Sequence, residues 1–299
     1  MKNKNVIAHV AVLSANLIYG ANYSIAKQVM PEYIQPFGFI LLRVLFTATV
    51  FLIASSVFFK EKIKAQDHKR FFLCALFGVA INQLLFFKGL DITSPINAAL
   101  IMTTNPIMVL LAASFILKDT ITWSRALGIL VGLAGACGLI LWKNQGSMMH
   151  ISVHGDIMIL INSLSFGMFL ILVKPMMNKY RTTTVMKWVF LYGSILVIPF
   201  GWSEFTSIEW SRFDTKIWFL TAFVVIGTTT LAYLFNTYAL KNLSPTEVSV
   251  YIYLQPLFAV FFAIMLGQDQ LQTAHIVSAT LIFIGVYLAS DRMSAAKQK

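Results

Sequence analysis

The sequence predicts an all-α membrane protein with ten transmembrane helices, arranged as two inverted five-helix repeats. Of its 299 residues, 58% are hydrophobic and only 12% are charged, whereas soluble domains carry about 25% charged residues. The apolar residues form ten runs of the length that crosses a bilayer, about 20 residues. The two halves of the chain also share residues at a fixed spacing.

The ten predicted spans are separated by short polar connections. The first run is longer than the apolar part of a signal peptide, so we expect it to be retained as a helix. The longest polar connections, residues 60–70, 143–154 and 203–214, leave no room for a soluble domain. The predicted spans are residues 6–28, 33–59, 70–90, 93–117, 122–142, 155–174, 187–203, 215–240, 245–267 and 272–290.

Basic residues outnumber acidic ones, and the formal net charge is +11. In a soluble protein this excess would indicate nucleic-acid binding. Here the basic residues lie in the connections between apolar runs, so we expect no nucleic-acid partner. With the N-terminus in the cytoplasm, 17 Lys and Arg residues fall on the cytoplasmic side and 5 on the other. The positive-inside rule therefore predicts that both termini are cytoplasmic.

Two alignments of the chain with itself indicate an internal repeat. A shift of 147 residues aligns Tyr19-Gly20 with Phe166-Gly167, and Lys27 with Lys174. Chance similarity of apolar helices explains matches of Leu or Ala, but not Ser-Pro, Pro and Asp in one ungapped register. A shift of 150 residues aligns Leu90 with Leu240, Ser94-Pro95 with Ser244-Pro245, Pro106 with Pro256, Ala113 with Ala263, Asp119 with Asp269 and Gly135 with Gly285.

The repeat divides the chain into residues 1–147 and 148–299, with five predicted spans in each part. Because five is odd, the second repeat must run through the membrane in the opposite direction to the first. Inverted repeats are typical of secondary transporters, whose substrate site lies near the bilayer midplane between the repeats.

Four predicted helices carry recognisable motifs. These are Tyr19-Gly20-Ala21-Asn22 in the first, Leu42-Arg43 with Ala48 in the second, Thr93-Ser94-Pro95-Ile96-Asn97-Ala98-Ala99 with Asn105-Pro106 in the fourth, and Ser244-Pro245-Thr246-Glu247 with Tyr253-Leu254-Gln255-Pro256 in the ninth. In order and spacing they resemble the drug/metabolite transporter superfamily in its ten-helix EamA-type form. The resemblance covers almost the whole chain. It implies ten helices around a central cavity, alternating access, and transport of small metabolites such as amino acids, often outward, across a bacterial cytoplasmic membrane.

Arg43 is the one ionisable residue near the middle of a predicted span. Burying a charge at membrane depth is costly, so such a residue is a functional candidate by default. It would bind a carboxylate of the substrate or the carbonyls of a helix end. The alternative is a buried hydrogen-bonding centre that holds the second helix against the bundle, and the sequence leaves both open.

Amides and hydroxyls supply the other candidate substrate-binding residues. Asn16, Tyr19 and Asn22 fall close to one face of the first helix. A side-chain amide that faces lipid would lack a partner, so we expect these groups to point inward. About half should line the cavity while the others join helices. The full set is Asn16, Tyr19, Asn22, Arg43, Asn82, Gln83, Asn97, Asn105, Asn162, Ser165, Tyr233, Asn236, Tyr251 and Gln255.

Residues near the helix ends have simpler interpretations. Lys27 and Lys174 should extend toward the membrane interface. His275, early in the tenth helix, should also be interfacial. Gly128 and Gly132 form a small-residue step that predicts packing of the fifth helix on the tenth. A homodimer built on the same step is the alternative.

No phosphate-binding loop, zinc-binding pattern or nucleophile elbow occurs in the sequence. We therefore expect no cofactor and no enzymatic activity, with the lipid bilayer and a small-molecule substrate as partners. Two other functions remain open. An intramembrane enzyme that modifies a lipid or metabolite would cluster Asp, Glu or His at one membrane face. A non-transporting scaffold would have a packed, dry midplane.

Overall fold

The computed structural model describes residues 2–58, 61–117, 123–142, 153–243, 247–248, 251–268 and 270–289. These residues form helices joined by short turns, and no strand occurs among them. The helices, labelled to follow the predicted spans, are α1 (Lys2–Val29), α2 (Pro36–Phe58), α3 (Ala65–Ile92), α4a (Pro95–Met102), α4b (Asn105–Leu117), α5 (Trp123–Trp142), α6 (Val153–Lys179), α7 (Thr182–Thr206), α8 (Thr215–Asn242), α9 (Gln255–Met265) and α10 (Thr273–Ala289).

The helices identify a multi-pass membrane protein. In the described residues seven helical segments are long and apolar enough to cross a bilayer, namely α1, α2, α3, α4a with α4b, α6, α7 and α8. The apolar stretches in α5, α9 and α10 are shorter, between 10 and 17 residues, so the count of ten spans stays a prediction. Apolar side chains cover the outside of the bundle. Phe115 and Trp123, for example, are 89% and 84% exposed, which suits lipid rather than water.

Helices of one half of the chain pack against helices of the other half, and the same pairing occurs with the two halves interchanged. α1 packs mainly against α8 and α9, while α6 packs mainly against α3 and α4b. α2 lies along α7, and α5 lies along α10. Each of these contacts between helices of the two halves thus has a counterpart in which the halves exchange roles.

Packing of α5 on α10, which the glycine step predicts, is confirmed. A Cβ atom added at Gly285 would lie 2.3 Å from the backbone nitrogen of Gly132 and 2.7 Å from the carbonyl oxygen of Gly128. No side chain fits at this crossing, so the glycines allow the two backbones to touch. The step is therefore used within the chain, and a homodimer stays a prediction.

Two of the long helices contain a π-helical stretch that the sequence did not predict. The stretch in α3 is Leu76–Ala80, and the stretch in α8 is Phe223–Leu231. They begin 147 residues apart, the same shift that aligns Lys27 with Lys174. Such stretches widen a helix and are frequent at functional sites.

Two further helices are interrupted just before an amide-proline pair. α4a ends at Met102 and α4b begins at Asn105, followed by Pro106. A 3₁₀ turn, Tyr251–Leu254, precedes α9, which begins with Gln255 and Pro256. Proline is tolerated in the first turn of a helix because the N–H groups there have no intrahelical partner. The proline therefore marks where each new helix starts.

Candidate functional site

A central cavity of about 60 Å³ lies between helices of both halves. Eight of the fourteen candidate residues line it: Tyr19, Asn22, Arg43, Asn82, Gln83, Asn162, Tyr233 and Gln255. The rest of the lining is mostly aromatic or apolar and comprises Tyr23, Phe86, Phe87, Met102, Phe166, Thr228 and Ile252. The cavity therefore combines polar groups from six helices with aromatic walls.

Arg43 is held on one side and open on the other. Its Nε donates to the Thr229 hydroxyl (2.6 Å), and its Nη2 donates to the Thr228 hydroxyl (3.2 Å). The guanidinium carbon lies 3.9 Å from the centre of the Phe87 ring, in cation–π contact. The side chain is only 2% exposed, yet Nη1 has no hydrogen-bond partner. Arg43 thus joins α2 to α8 and still offers one charged donor.

The threonines that hold Arg43 belong to the π-helical stretch of α8. The Thr228 hydroxyl donates to the carbonyl of Val224 (2.5 Å), so its oxygen is left to accept from Arg43. The next threonine, Thr230, lies 2.9 Å from the hydroxyl of Thr47 on α2. This widened segment of α8 therefore presents a row of hydroxyls to α2, and that row fixes the position of the guanidinium.

A tyrosine and three amides form the opposite part of the polar lining. The Tyr233 hydroxyl donates to the carbonyl of Gly78 (2.7 Å) inside the π-helical stretch of α3, and it accepts from Nε2 of Gln83 (3.3 Å). The amide of Asn162 donates to the carbonyl of Asn82 (2.7 Å). These bonds fix the amide groups at the junction of α3, α6 and α8.

Several lining atoms are buried without a partner. The side-chain oxygens of Asn22, Gln83 and Asn162 accept no hydrogen bond within the described part of the chain, and Nη1 of Arg43 donates none. Each such atom costs about 1–3 kcal/mol when it is sealed from water. One cationic donor and three neutral acceptors are thus available to a polar ligand in the same cavity.

Comparison with known families identifies the family of the chain. The model of the EamA-like transporter family matches the chain twice, over residues 6–141 and 153–291. The chain belongs to this family. The resemblance seen in its motifs is therefore confirmed, and so is its assignment to membrane transport.

Relatives of this EamA-like chain include bacterial, archaeal and plant proteins. One is 24% identical and is named the uncharacterized transporter YyaM of Bacillus subtilis (strain 168), with 97% of this chain and 95% of the relative covered. An uncharacterized transporter of Archaeoglobus fulgidus is 25% identical, with 96% and 99% covered. A WAT1-related protein of Arabidopsis thaliana is 22% identical, with 94% and 84% covered. These names indicate transporters rather than enzymes at the level of the family.

A solved crystal structure has the same fold. It superposes on this chain with a TM-score of 0.62 at 16% identity, and the alignment covers 97% of both chains. The shared architecture therefore extends over the whole length of the EamA-like fold.

Six candidate residues lie outside the cavity lining and join helices instead. Asn16 accepts from Nε2 of Gln255 (2.6 Å), and Asn105 donates to the carbonyl of Ser163 (2.8 Å). Ser165 donates to the carbonyl of Phe77 (2.7 Å). The remaining contacts are Asn236 with the Tyr19 hydroxyl (3.4 Å), Tyr251 with His9 (2.7 Å), and Asn97 with Asp156 (3.3 Å) and His275 (3.0 Å).

The bonds of Asn97 belong to a buried chain of polar groups at one end of the EamA-like bundle. Asp156 accepts from the Thr93 hydroxyl and from the Asn97 amide. His275 accepts at Nδ1 from the backbone N–H of Gln272 (3.0 Å), so its Nε2 carries the proton that Asn97 accepts. His275 is only 4% exposed, because it points into the bundle, where this chain of bonds satisfies both of its ring nitrogens.

Sequence reasoning missed seven lining residues, and none of the seven is an amide. Tyr23 follows the motif that ends at Asn22, and Thr228 belongs to a run of three threonines inside an apolar span; both signals are visible in the sequence. The aromatic residues gave no signal, because Phe86, Phe87 and Phe166 resemble the phenylalanines that face lipid or the core.

Proposed function

We propose that the chain is a secondary transporter that exports small zwitterionic metabolites, such as amino acids, by alternating access through the central cavity. It would do so across a bacterial cytoplasmic membrane with both termini in the cytoplasm. Membership of the EamA-like transporter family supports transport. The substrate class is supported by the polar groups that the cavity leaves without partners.

One observation carries the substrate class: the unpaired lining atoms complement an amino acid. The free Nη1 of Arg43 would donate to a carboxylate, which is the strongest partner of a guanidinium. An ammonium group carries three donors and no acceptor, and the oxygens of Asn22, Gln83 and Asn162 are three acceptors. The aromatic walls would accept an apolar side chain. A neutral polar solute would leave the guanidinium charge without a partner.

Alternating access is supported by the size of the cavity and by the packing of the helices. Clefts that hold drug-sized ligands measure about 300–1,000 Å³, whereas this cavity measures about 60 Å³. Helices must therefore part for an amino acid to be admitted. The exchanged packing of α1 and α6, and the π-helical stretches 147 residues apart, support inverted repeats that could open toward either side.

The alternatives are less well supported. An intramembrane enzyme needs clustered acids, bases or metal ligands, and the described residues contain no group of three His, Cys, Asp or Glu side chains. A scaffold needs no polar cavity, whereas the cavity of this protein is lined by a guanidinium and five amides. The lining therefore favours transport over both.

Counterflow in proteoliposomes tests the proposal. Liposomes with the purified protein are loaded with one unlabelled amino acid at a time, and uptake of the same labelled amino acid is measured. Stimulated uptake of at least one amino acid, and none of its carboxyl ester, is the expected result. Counterflow of uncharged solutes alone, with protein shown to be folded, would overturn the substrate class; no counterflow of any small solute would overturn transport.

A further inference from the structure

Two lysines make the same unusual contact in the two halves of the chain. Lys27, near the end of α1, donates to the carbonyl of Thr93 at the end of α3. Lys174, near the end of α6, donates to the carbonyl of Leu240 at the end of α8 and to that of Leu243 (2.6 Å). Lys27 and Lys174 are 147 residues apart, and so are Thr93 and Leu240. The last carbonyls of a helix have no intrahelical donor and favour a cation, so each lysine binds a helix end chemically suited to it.

The two contacts lie at opposite faces of the bundle. α6 begins beside Thr93, because Asp156 in its first turn accepts from the Thr93 hydroxyl. Lys174 follows Asp156 by 18 residues, which is about 27 Å along a helix and close to the thickness of the hydrocarbon core. Lys27 therefore acts at one membrane face and Lys174 at the other.

Each contact also connects two groups of helices that pack mainly within themselves. α1 belongs with α8 and α9, and α6 belongs with α3 and α4b. Lys27 extends from the first group to α3 in the second. Lys174 extends from the second group to α8 in the first. The cavity lies between the groups, and both contacts are formed while it is small.

We infer that Lys27 and Lys174 are the two closing residues of the transporter, each holding the helix groups together at one membrane face. Opening toward a face requires the lysine at that face to leave its carbonyls while the other remains bound. The inference rests on the proposed function, because an opening that alternates between faces serves transport. Both lysines act as positioning residues and do not contact the substrate.

Neighbouring charges make the two contacts unequal. At the Lys27 face, the carboxylate of Asp156 binds the same Thr93 whose carbonyl accepts from Lys27. At the Lys174 face, Glu247 attracts the ammonium group electrostatically but is itself exposed. At the Lys27 face the contact thus lies beside a buried carboxylate, whereas at the Lys174 face the lysine binds mainly main-chain oxygens.

The test measures from which side the cavity can be reached. Both native cysteines, Cys74 and Cys137, are replaced by serine, and Met102→Cys on the cavity wall serves as the reporter. A membrane-impermeant thiol reagent is applied to right-side-out and inside-out vesicles. We expect Lys27→Met to raise the labelling rate about tenfold from one side only, as loss of a charge-assisted hydrogen bond implies, and Lys174→Met to do the same from the other side only.

Two lysines at the same faces provide matched controls. Lys88 pairs with Asp91 on the same helix (3.0 Å), and Lys179 pairs with Asp67 inside the group that contains both α3 and α6. Neither joins the two groups, so Lys88→Met and Lys179→Met should label at the parent rate from both sides. Lys27→Arg and Lys174→Arg keep a cationic donor at each position. Both variants should therefore label at the parent rate.

The outcomes separate this inference from the proposed function, because labelling needs no substrate. The inference would be overturned if the labelling rate rose from the same side for both lysine variants. It would also be overturned if the rate rose for neither variant, or rose equally in the controls. If a methionine variant does not fold, Lys27→Gln and Lys174→Gln carry the same expectation at smaller size. Unchanged labelling of the folded glutamine variants would likewise overturn the inference.

Discussion

The central cavity and the two ends of the bundle use matched positions of the repeat differently. At the ends, Lys27 and Lys174 correspond and make the same contact. In the cavity, the residue 147 positions after Arg43 is Phe190, a fully buried ring packed against Tyr233.

The same divergence holds for the amides of the cavity. The positions that correspond to Asn22 and Asn162 under this shift are Phe169 and Ala15. The difference teaches that the repeat retains the contacts that join helices, while Arg43, Asn22 and Asn162, which are offered to a ligand, each have an apolar residue at the matched position of the other repeat. The residues that match between the repeats thus join helices, and the residues that differ between them are available to bind the substrate.

The sharpest way to break this comparison is to remove the unmatched charge. We expect Arg43→Met to lower counterflow about 100-fold, because a charge-assisted hydrogen bond to the substrate is worth about 1.5–3 kcal/mol. Initial rates in proteoliposomes measure the effect. Thr229→Val removes only one of the two threonine bonds that position the guanidinium, so a smaller loss is expected. Equal rates for Arg43→Met and the parent would contradict the role of this residue.

Glycines at matched positions should affect stability alone. A Cβ at Gly285 would meet the backbone of Gly132, and one at Gly135 would meet Leu281 at 2.9 Å. We expect Gly285→Ala and Gly135→Ala each to destabilise the fold by about 1–3 kcal/mol through overpacking. Thermal unfolding in detergent measures this. Gly138→Ala is the control, because its nearest neighbour is 3.9 Å away. A changed substrate preference in folded variants would contradict the prediction that these glycines affect stability alone.

The two amides that precede proline give a quantitative comparison of matched positions. Gln255 makes two buried bonds, to Asn16 (2.6 Å) and from the Tyr23 hydroxyl (2.8 Å), whereas Asn105 donates one, to the carbonyl of Ser163. Removing a partner of a buried group costs about 1–3 kcal/mol. Gln255→Leu should therefore lower the melting temperature about twice as much as Asn105→Leu. The reverse order would contradict the view that the number of buried hydrogen bonds sets the loss of stability.

The smallest effect is expected at a single unpaired acceptor of the cavity. We expect Asn162→Ala to weaken apparent affinity about 10-fold, which corresponds to the lower end of the value of a hydrogen bond to a charged group. Competition by the amino acid and by its desamino analogue measures it. The variant should lose affinity for the amino acid but not for the analogue. Equal losses for both compounds would show that Asn162 acts on the fold rather than on the ammonium group.

The spans of the fold were predictable because lipid imposes a simple rule. α1, α2, α3, α6, α7 and α8 each contain a long apolar run, and such a run can only be a helix in a bilayer. The π-helical stretches were not predictable, because Leu76–Ala80 is an apolar sequence with nothing to distinguish it from ordinary α-helix. What stabilises it is tertiary: Ser165 and Tyr233 donate to carbonyls in this region.

The division of the candidate residues between cavity and helix contacts could not be predicted either. Asn16, Tyr19 and Asn22 share a helix face, yet Asn16 binds Gln255 while the other two line the cavity. Rotation and tilt of α1 decide this, and both are set by packing against α8 and α9. Lys27 and Lys174 turn inward to helix-end carbonyls instead of extending to the interface, because those carbonyls lie within reach only after the helices assemble.

Binding to the purified protein tests the central claim most directly. Calorimetric titration compares an amino acid with its methyl ester, which keeps the ammonium group but lacks the carboxylate, in the parent and in Arg43→Met. The account predicts that the parent binds the amino acid at least about tenfold more tightly than the ester, and that Arg43→Met binds both alike. A parent that does not distinguish the two compounds, or a variant that keeps the preference, would contradict recognition of a zwitterion by the cavity.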